Sequence, residues 1–213
     1  MKLLVLLTFL AFSAFVRASG ATNVVFFLDI DGVLNSQRSH TMFPDDASKY
    51  GLNPDNVTCF TNLLSLCPGC KVVLHTGWNK RAFDAEWSFR GRQYKSLIPQ
   101  VTNMLGQAYA GITTHIPPAQ GGCKAREIME WIDQHPSSNT LYVVLDDDTG
   151  PNSSFTKGAY PLENLSSASA LYLPDGHDHG IFPVDGDIMV RTIDKYNGFS
   201  QTDLNWVTNW LAF

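Results

Sequence analysis

Residues Asn23 to Asn35 read NVVFFLDIDGVLN and carry the strongest structural pattern in the chain. Its apolar run, Val24 to Leu28, predicts a strand that is buried on both faces of a sheet. Two carboxylates, Asp29 and Asp31, follow within three positions, and Gly32 then allows the chain to turn sharply away from the strand. The sequence therefore places two acids directly after the end of one buried strand.

Outward from this stretch, apolar strands alternate with segments of helical pattern. The predicted strands are Lys71–His75, Gly111–Ile116, Leu141–Leu145 and Ile188–Thr192, and the predicted helices are Pro54–Leu66 (capped by Asn53), Asn79–Phe89, Ser96–Leu105, Lys124–His135 and one that starts at Ser200 with Asp203 as its capping partner. Such alternation predicts an α/β fold with a doubly wound parallel sheet. Ligands of these sheets bind at the carboxyl ends of the strands.

Polar residues stand at the carboxyl ends of three of the predicted strands. They are Asp29, Asp31, Thr76, Asp146, Asp147 and Asp148, and Lys124 opens one of the connecting helices. Helix capping or exposure to solvent explains any one of these residues equally well. The whole set is better explained by a shared site, because a parallel sheet brings these strand ends together.

The order of these residues resembles the haloacid dehalogenase-like (HAD) superfamily of phosphatases and phosphotransferases. Four motifs carry the resemblance: Asp29-Ile-Asp-Gly-Val33, the strand Val72-Val-Leu-His-Thr76, Lys124, and Leu145-Asp-Asp-Asp148. Within the superfamily the chain is similar to the HAD domains of Swiss Army knife RNA-repair proteins. That finer similarity rests on Asp31-Gly-Val-Leu-Asn35, Trp78, Lys124-x-x-x-Ile128 and Asn197-Gly-Phe199.

The resemblance implies a catalytic role for four residues. Asp29 would attack phosphorus and form an aspartyl-phosphate, and Asp31 would protonate the leaving oxygen and later deprotonate water. Thr76 would hydrogen-bond the transferring phosphoryl group, and Lys124 would offset its charge. An acid at the position of Asp31 implies a phosphatase or phosphotransferase, since dehalogenases lack it and the ATPases carry Thr there.

The resemblance also implies a magnesium site and a set of substrate contacts. Mg²⁺ would bind to Asp29, the backbone carbonyl of Asp31, and acids of the 146–148 run, with Asp146 and Asp147 preferred. The predicted substrate-binding residues are Gly32, Asn35, Gly77 and Trp78.

A cap domain encloses small substrates in many members of the superfamily. The two intervals that hold such caps, Asp31 to Thr76 and Thr76 to Lys124, are each under 50 residues here. No full cap fits, so we expect an open site. That site suits a large substrate, such as a nucleic-acid end, a phosphoprotein or a phosphoglycan, or a small substrate handled unselectively.

The N-terminus has the composition of a signal peptide. Lys2 precedes an apolar run, Leu3 to Val16, which is too short to span a bilayer, and cleavage is expected after Ala18. We therefore expect residues 1–18 to be removed, residues 19–213 to form a single secreted domain, and the mature protein to have no membrane segment. Cleavage would leave 13 basic and 20 acidic residues, a formal charge of −7, which argues against non-specific nucleic-acid binding.

Secretion agrees with the glycosylation and cysteine patterns. N-glycosylation sequons begin at Asn56, Asn152 and Asn164. The cysteines are even in number, and we expect one or two structural disulfides among Cys59, Cys67, Cys70 and Cys123.

Two other functions remain open from the sequence. The first is a non-catalytic phosphate-binding or storage protein of the same fold, although the intact set of acids, Thr76 and Lys124 counts against it. The second is a secreted dithiol oxidoreductase that uses Cys67 and Cys70, whose spacing is that of a redox pair. A structural turn is favoured for that pair, because Pro68 and Gly69 end the preceding helix.

Overall fold

The structure is a computed structural model, and it describes residues 23–36, 51–77, 86–89, 92–116, 124–147, 181–182 and 188–211. Several sequence predictions lie outside these ranges: the signal peptide at residues 1–18, Trp78, Cys123, Asp148, and the sequons at Asn152 and Asn164.

Strands and helices alternate along the described chain. The strands are β1 (Asn23–Leu28), β2 (Lys71–Leu74), β3 (Glu86–Phe89), β4 (Arg92–Lys95), β5 (Tyr109–Ile112), β6 (Thr140–Asp146), β7 (Ile181–Phe182) and β8 (Ile188–Thr192). The helices are α1 (Pro54–Leu66), α2 (Ile98–Leu105), α3 (Lys124–Gln134) and α4 (Gln201–Leu211), with a 3₁₀ turn at Gly106–Ala108.

The main sheet confirms the predicted doubly wound α/β fold. Its strand order is β5-β2-β1-β6-β8-β7, and every neighbouring pair except β7–β8 is parallel. Strand β1 lies between β2 and β6, with Leu28 in register with Leu74 on one side and Leu145 on the other. The carboxyl ends of these three strands therefore lie side by side.

Strand β1 is apolar throughout because both of its faces are covered. Phe26 and Leu28 pack into a core that α1, α2 and α4 share, whereas Val25 and Phe27 pack on the other face against α3. Successive side chains of a strand point to opposite faces. An uninterrupted apolar run is thus what a central strand between two helical layers requires.

Both predicted helix caps are present. The Asn53 side chain accepts a hydrogen bond from the backbone N–H of Asp55 at 3.0 Å, and Pro54 begins α1. Ser200 donates to Asp203 from its backbone N–H at 3.0 Å and from its hydroxyl at 2.7 Å. Each cap satisfies polar groups at a helix start, as the sequence pattern indicated.

The predicted helix at Asn79–Phe89 is wrong in its described part. Residues 86–89 form β3, which pairs with β4 as an antiparallel hairpin, Glu86 opposite Lys95 and Phe89 opposite Arg92. Polar and aromatic residues alternate in Glu86–Phe89, which is the period of a strand, and a Gly follows at position 91. Smaller shifts occur elsewhere, since the strand predicted at Gly111–Ile116 is Tyr109–Ile112.

The cysteine turn lies at the opposite end of the sheet from Asp29. Cys67 and Cys70 are both buried, and with Cys59 they are free thiols in the structure, so no disulfide joins these three described cysteines. The hydrogen bond between the two thiols raises the pKa of Cys67 and lowers that of Cys70. Burial of both sulfurs is unfavourable for thiol exchange with a partner protein.

The side chain of Asn56, the first residue of one sequon, makes hydrogen bonds inside the protein. Asn56 is 3% exposed, and its Nδ2 donates to the carbonyls of Asn197 and Phe199 at 2.8 and 3.0 Å. Gly198, at φ +70°, has no room for a side chain, because a Cβ there would lie 2.6 Å from Asn56 Oδ1. The atom that would carry a glycan is therefore inside the fold, and the Asn-Gly-Phe motif is a packing motif.

Within the ranges that the structure describes, no helix combines the length and the apolar character needed to cross a bilayer.

Candidate active site

Three carboxylates meet at the carboxyl ends of β1 and β6. Asp29 follows β1, Asp146 ends β6, and Asp147 comes next along the chain. Asp29 and Asp146 are buried and Asp147 is half-buried. One ligand oxygen of each lies within 4.8 Å of the others. The structure thus brings together three of the residues that the sequence analysis assigned to one site.

Lys124 joins two of these acids. It is the first residue of α3, and its Nζ contacts Asp29 Oδ2 and donates to Asp146 Oδ2 at 2.7 Å. Burial acts to lower the pKa of Lys124, but the charges of Asp29 and Asp146 outweigh it, so that the pKa is raised. The raised pKa favours the charged ammonium, which bridges the two carboxylates.

The second oxygen of Asp29 is held by the main chain. Its Oδ1 accepts a hydrogen bond from the backbone N–H of Ile30 at 2.7 Å. The backbone N–H of Asp29 donates to the Leu145 carbonyl at 3.0 Å, which continues the pairing of β1 with β6. The carboxylate that the sequence analysis proposed as nucleophile is thus fixed in both position and orientation.

Asp31 lies on a tight turn just beyond Asp29. The backbone N–H groups of Val33, Leu34 and Asn35 all donate to the Ile30 carbonyl, at 3.0 to 3.3 Å. This turn leaves the Asp31 side chain exposed, beside the buried acids. An exposed acid next to a buried one is the arrangement expected of a proton donor that faces a bound substrate.

Asn35 lies behind Asp31 and contacts it directly. The Asn35 side chain is 2% exposed; its Oδ1 accepts from the Gly32 N–H at 2.9 Å and its Nδ2 donates to Asp31 Oδ1 at 2.8 Å. Its predicted role in substrate binding stays a prediction. The contacts that it makes in the structure are those of a residue that holds Asp31.

Gly32 is required at its position for two reasons. Its φ is +74°, in the left-handed region, and a Cβ built there would lie 2.2 Å from Asp147 Cγ. The turn after β1 therefore packs directly on one of the three clustered acids, which only glycine permits. Of the other two predicted substrate contacts, Gly77 is exposed and Trp78 is outside the described residues.

The end of β2 contributes Thr76 and an unpredicted histidine. The His75 N–H donates to the Leu28 carbonyl at 3.1 Å, so Thr76, which is buried, follows beside the end of β1. His75 is fully buried, with Nδ1 3.6 Å from Asp146 Oδ2. Burial, and then the charge of Lys124, lower the pKa of His75 to about 4. The sequence signal that could have found His75 is a polar residue at the end of an apolar strand.

Glu127, one helical turn beyond Lys124, forms a pair with His115 that was also unpredicted. Glu127 is buried, and its Oε1 lies 2.8 Å from His115 Nδ1 and accepts from the Ile116 N–H at 2.9 Å. This carboxylate ties the chain that follows β5 to α3. No sequence pattern pointed to the pair, because its two members are separated by a loop and a helix start.

The acids fit a magnesium ion by their chemistry and spacing. Mg²⁺ prefers hard oxygen donors at about 2.1 Å, so two ligands on opposite sides of one ion are about 4.2 Å apart. The oxygens of Asp29, Asp146 and Asp147 all lie within 4.8 Å of one another, so the three are close enough to share one ion. One lysine stands against these three carboxylates, which leaves an excess of negative charge for a cation to balance.

The chain is similar to a known protein family and to a solved structure. The sequence model of the family described as "HAD domain in Swiss Army Knife RNA repair proteins" matches residues 25–163, about two thirds of the chain. Among solved structures, the HAD domain of effector protein Lem4 from Legionella pneumophila is similar, at 10% sequence identity and a TM-score of 0.42, over 88% of this chain and 92% of that one. No curated protein matches the chain.

Proposed function

We propose that this chain, which belongs to the family of HAD domains in Swiss Army Knife RNA repair proteins, is a Mg²⁺-dependent phosphatase. In this proposal it hydrolyses a phosphomonoester through an aspartyl-phosphate. The observation that carries the proposal is the convergence of Asp29, Asp146, Asp147 and Lys124, from two strand ends and a helix start, beside the exposed Asp31.

Asp29 is the nucleophile in the first half-reaction. One of its carboxylate oxygens forms a bond to phosphorus as the bond from phosphorus to the leaving oxygen breaks. The hydrogen bond from the Ile30 N–H and the contact with Lys124 hold this carboxylate in one rotamer. A fixed nucleophile loses little entropy when it attacks, which lowers the barrier.

Asp31 moves the proton in both halves of the reaction. In the first half it protonates the leaving oxygen. In the second it accepts a proton from the water that attacks phosphorus, and the bond from phosphorus to Asp29 breaks to restore the carboxylate. Its exposure, two residues beyond Asp29, suits a group that must reach a substrate oxygen and then a water molecule. The products are free phosphate and the alcohol of the substrate.

Lys124 and Thr76 stabilise charge around the transferring group. Lys124 keeps its positive charge between Asp29 and Asp146, so it offsets negative charge that a phosphoryl group brings to this pocket. The Thr76 hydroxyl, at the end of β2, would hydrogen-bond a phosphoryl oxygen. Asp29, Asp146 and Asp147 would hold Mg²⁺, which when bound screens the repulsion between the carboxylate and the phosphate dianion.

We also propose that the substrate is a phosphomonoester on a large molecule and that the enzyme is secreted. The intervals from Asp31 to Thr76 and from Thr76 to Lys124 are too short for a full cap domain, which supports an open site. The described part of the Thr76–Lys124 interval forms a hairpin, α2 and β5. The N-terminal composition supports secretion. The mass of the protein recovered from culture medium would test cleavage after Ala18.

The deciding experiment measures phosphate release from an aryl phosphate by the mature protein, with Mg²⁺ and with a chelator. We expect turnover that needs Mg²⁺ and that falls by roughly 10⁴-fold or more in Asp29→Asn, since the nucleophile is lost. Phosphorylated RNA ends and phosphopeptides extend the assay to macromolecules. Phosphate binding without turnover on any of these substrates would contradict the proposal and favour a binding protein.

A further inference from the structure

We propose that Asn35 is a positioning residue that orients Asp31 as the general acid, an inference that rests on the proposed function. Asp31 is exposed, and an exposed aspartate in water samples several side-chain rotamers. Asn35 restricts that freedom from behind, because its buried Nδ2 donates to Asp31 Oδ1 at 2.8 Å.

The anchor of Asn35 is independent of Asp31. Its side-chain Oδ1 accepts from the Gly32 N–H at 2.9 Å, and its own backbone N–H donates to the Ile30 carbonyl at 3.1 Å. Both contacts belong to the turn that starts at the end of β1. Asn35 is thus held by the same rigid element that carries Asp29, so the nucleophile and the acid share one frame.

The direction of the hydrogen bond decides which oxygen of Asp31 carries the proton. An amide N–H can only donate, so Asp31 Oδ1 must accept from Asn35. The proton of the acid then resides on Oδ2, the oxygen that does not face Asn35. An amide does not titrate, so Asn35 keeps this donor role, and whenever Asp31 is protonated its proton is favoured on Oδ2.

The test separates this role from the simple closure of the turn. Asn35→Asp has nearly the same shape and keeps an oxygen for the Gly32 N–H, but it removes the N–H that Asp31 needs. The readout is kcat/KM for two substrates, a nitrophenyl phosphate and an alkyl phosphate. A nitrophenolate leaves without help from an acid, whereas an alkoxide must be protonated as the bond breaks.

We expect Asn35→Asp to lower kcat/KM at least tenfold more for the alkyl phosphate than for the nitrophenyl phosphate. The added negative charge weakens the binding of both phosphates alike, and its separate effect on Asp31 is controlled by Asn35→Ala, which removes the donor without adding charge. Asn205→Asp, the same change on an exposed residue of α4, should leave both values unaltered. Equal losses for both substrates would overturn the inference.

A second variant and a double mutant keep the test decisive. If Asn35→Asp fails to fold, Asn35→Ala removes the donor without adding charge, and the same difference between substrates is expected. In an Asp31→Asn background the difference should vanish, because Asn35 acts through Asp31; its persistence there would contradict the inference. Failure of the proposed function looks different, since the unmodified protein would then release no phosphate.

Discussion

The two ends of the sheet bury different kinds of polar group. At the carboxyl end, the buried carboxylates of Asp29 and Asp146 contact the half-buried ammonium of Lys124, and the buried His75 lies against Asp146. At the amino end of β2, the turn of Cys67 and Cys70 buries two thiols that are hydrogen-bonded to each other. About 13 Å of strand separates the ends.

The contrast shows where this fold accepts an energetic cost. Burial of a charge costs several kcal/mol, and a partner of opposite charge offsets that cost only in good geometry. Buried thiols behave as small apolar groups and cost little. Costly groups collected at one end of a sheet, and inexpensive ones at the other, distinguish a reactive end from a packing end.

Removal of Lys124 should have the largest effect. In Lys124→Met the carboxylates of Asp29 and Asp146 remain buried without their ammonium, so the free energy of unfolding should fall by about 3 to 5 kcal/mol. Urea unfolding at pH 7 measures this, and phosphatase activity should fall at least 10²-fold. Lys71→Met removes an exposed lysine from the same sheet and should change neither the free energy of unfolding nor the activity. Comparable losses in the two variants would show that the two ends of the sheet do not differ in this respect.

Acid should weaken the protein through His75. The unfolded chain binds a proton at this residue below pH 6.5, whereas the folded protein does so only near pH 4. Stability is therefore lost as the pH falls from about 6.5 to about 4, by about 2 to 3 kcal/mol at pH 4.5. Urea unfolding of the unmodified protein and of His75→Gln measures it, and the variant should lose correspondingly less. Identical pH slopes would rule out this origin.

Two glycines allow the ends to be compared directly. Gly32 and Gly69 both have positive φ, +74° and +86°, but a Cβ at Gly32 would collide with Asp147, whereas one at Gly69 meets nothing within 4 Å. Each change to Ala should cost about 1 to 3 kcal/mol of stability from backbone strain. Only Gly32→Ala should also lower phosphatase activity, by tenfold or more, because it displaces Asp147. Activity assays and thermal unfolding of both variants decide the point.

The cysteine turn should give the smallest effect. Replacement of Cys67 and Cys70 by Ala removes two buried sulfurs, and we expect about 1 to 2 kcal/mol of lost stability with kcat/KM unchanged. Thermal unfolding and the aryl phosphate assay measure the two quantities. A loss of activity in this variant would favour the dithiol alternative and would assign chemistry to both ends of the sheet.

Much of the fold followed from local patterns. The apolar run of β1 predicted a central strand, and the helix caps at Asn53 and Ser200 were read from residue types alone, because capping is decided within one turn of the chain. The hairpin of β3 and β4 was missed, since its hydrogen bonds join two segments and an alternation of only four residues is a weak signal for a strand. The packing of Asn56 was missed as well, because its partners lie about 140 residues away in the chain.

Local patterns in the sequence were enough to place β1, β2, β6, β8 and the four helices in order, and to identify the chemical groups at the strand ends. The contacts among these groups became visible in the folded chain: Lys124 bridges Asp29 and Asp146, His75 lies against Asp146, and Asn35 holds Asp31. The difference lies in how far apart along the chain the interacting residues are. Secondary structure reflects interactions within a few residues, whereas charge pairing and hydrogen-bond direction depend on side chains brought together by the sheet from distant parts of the chain.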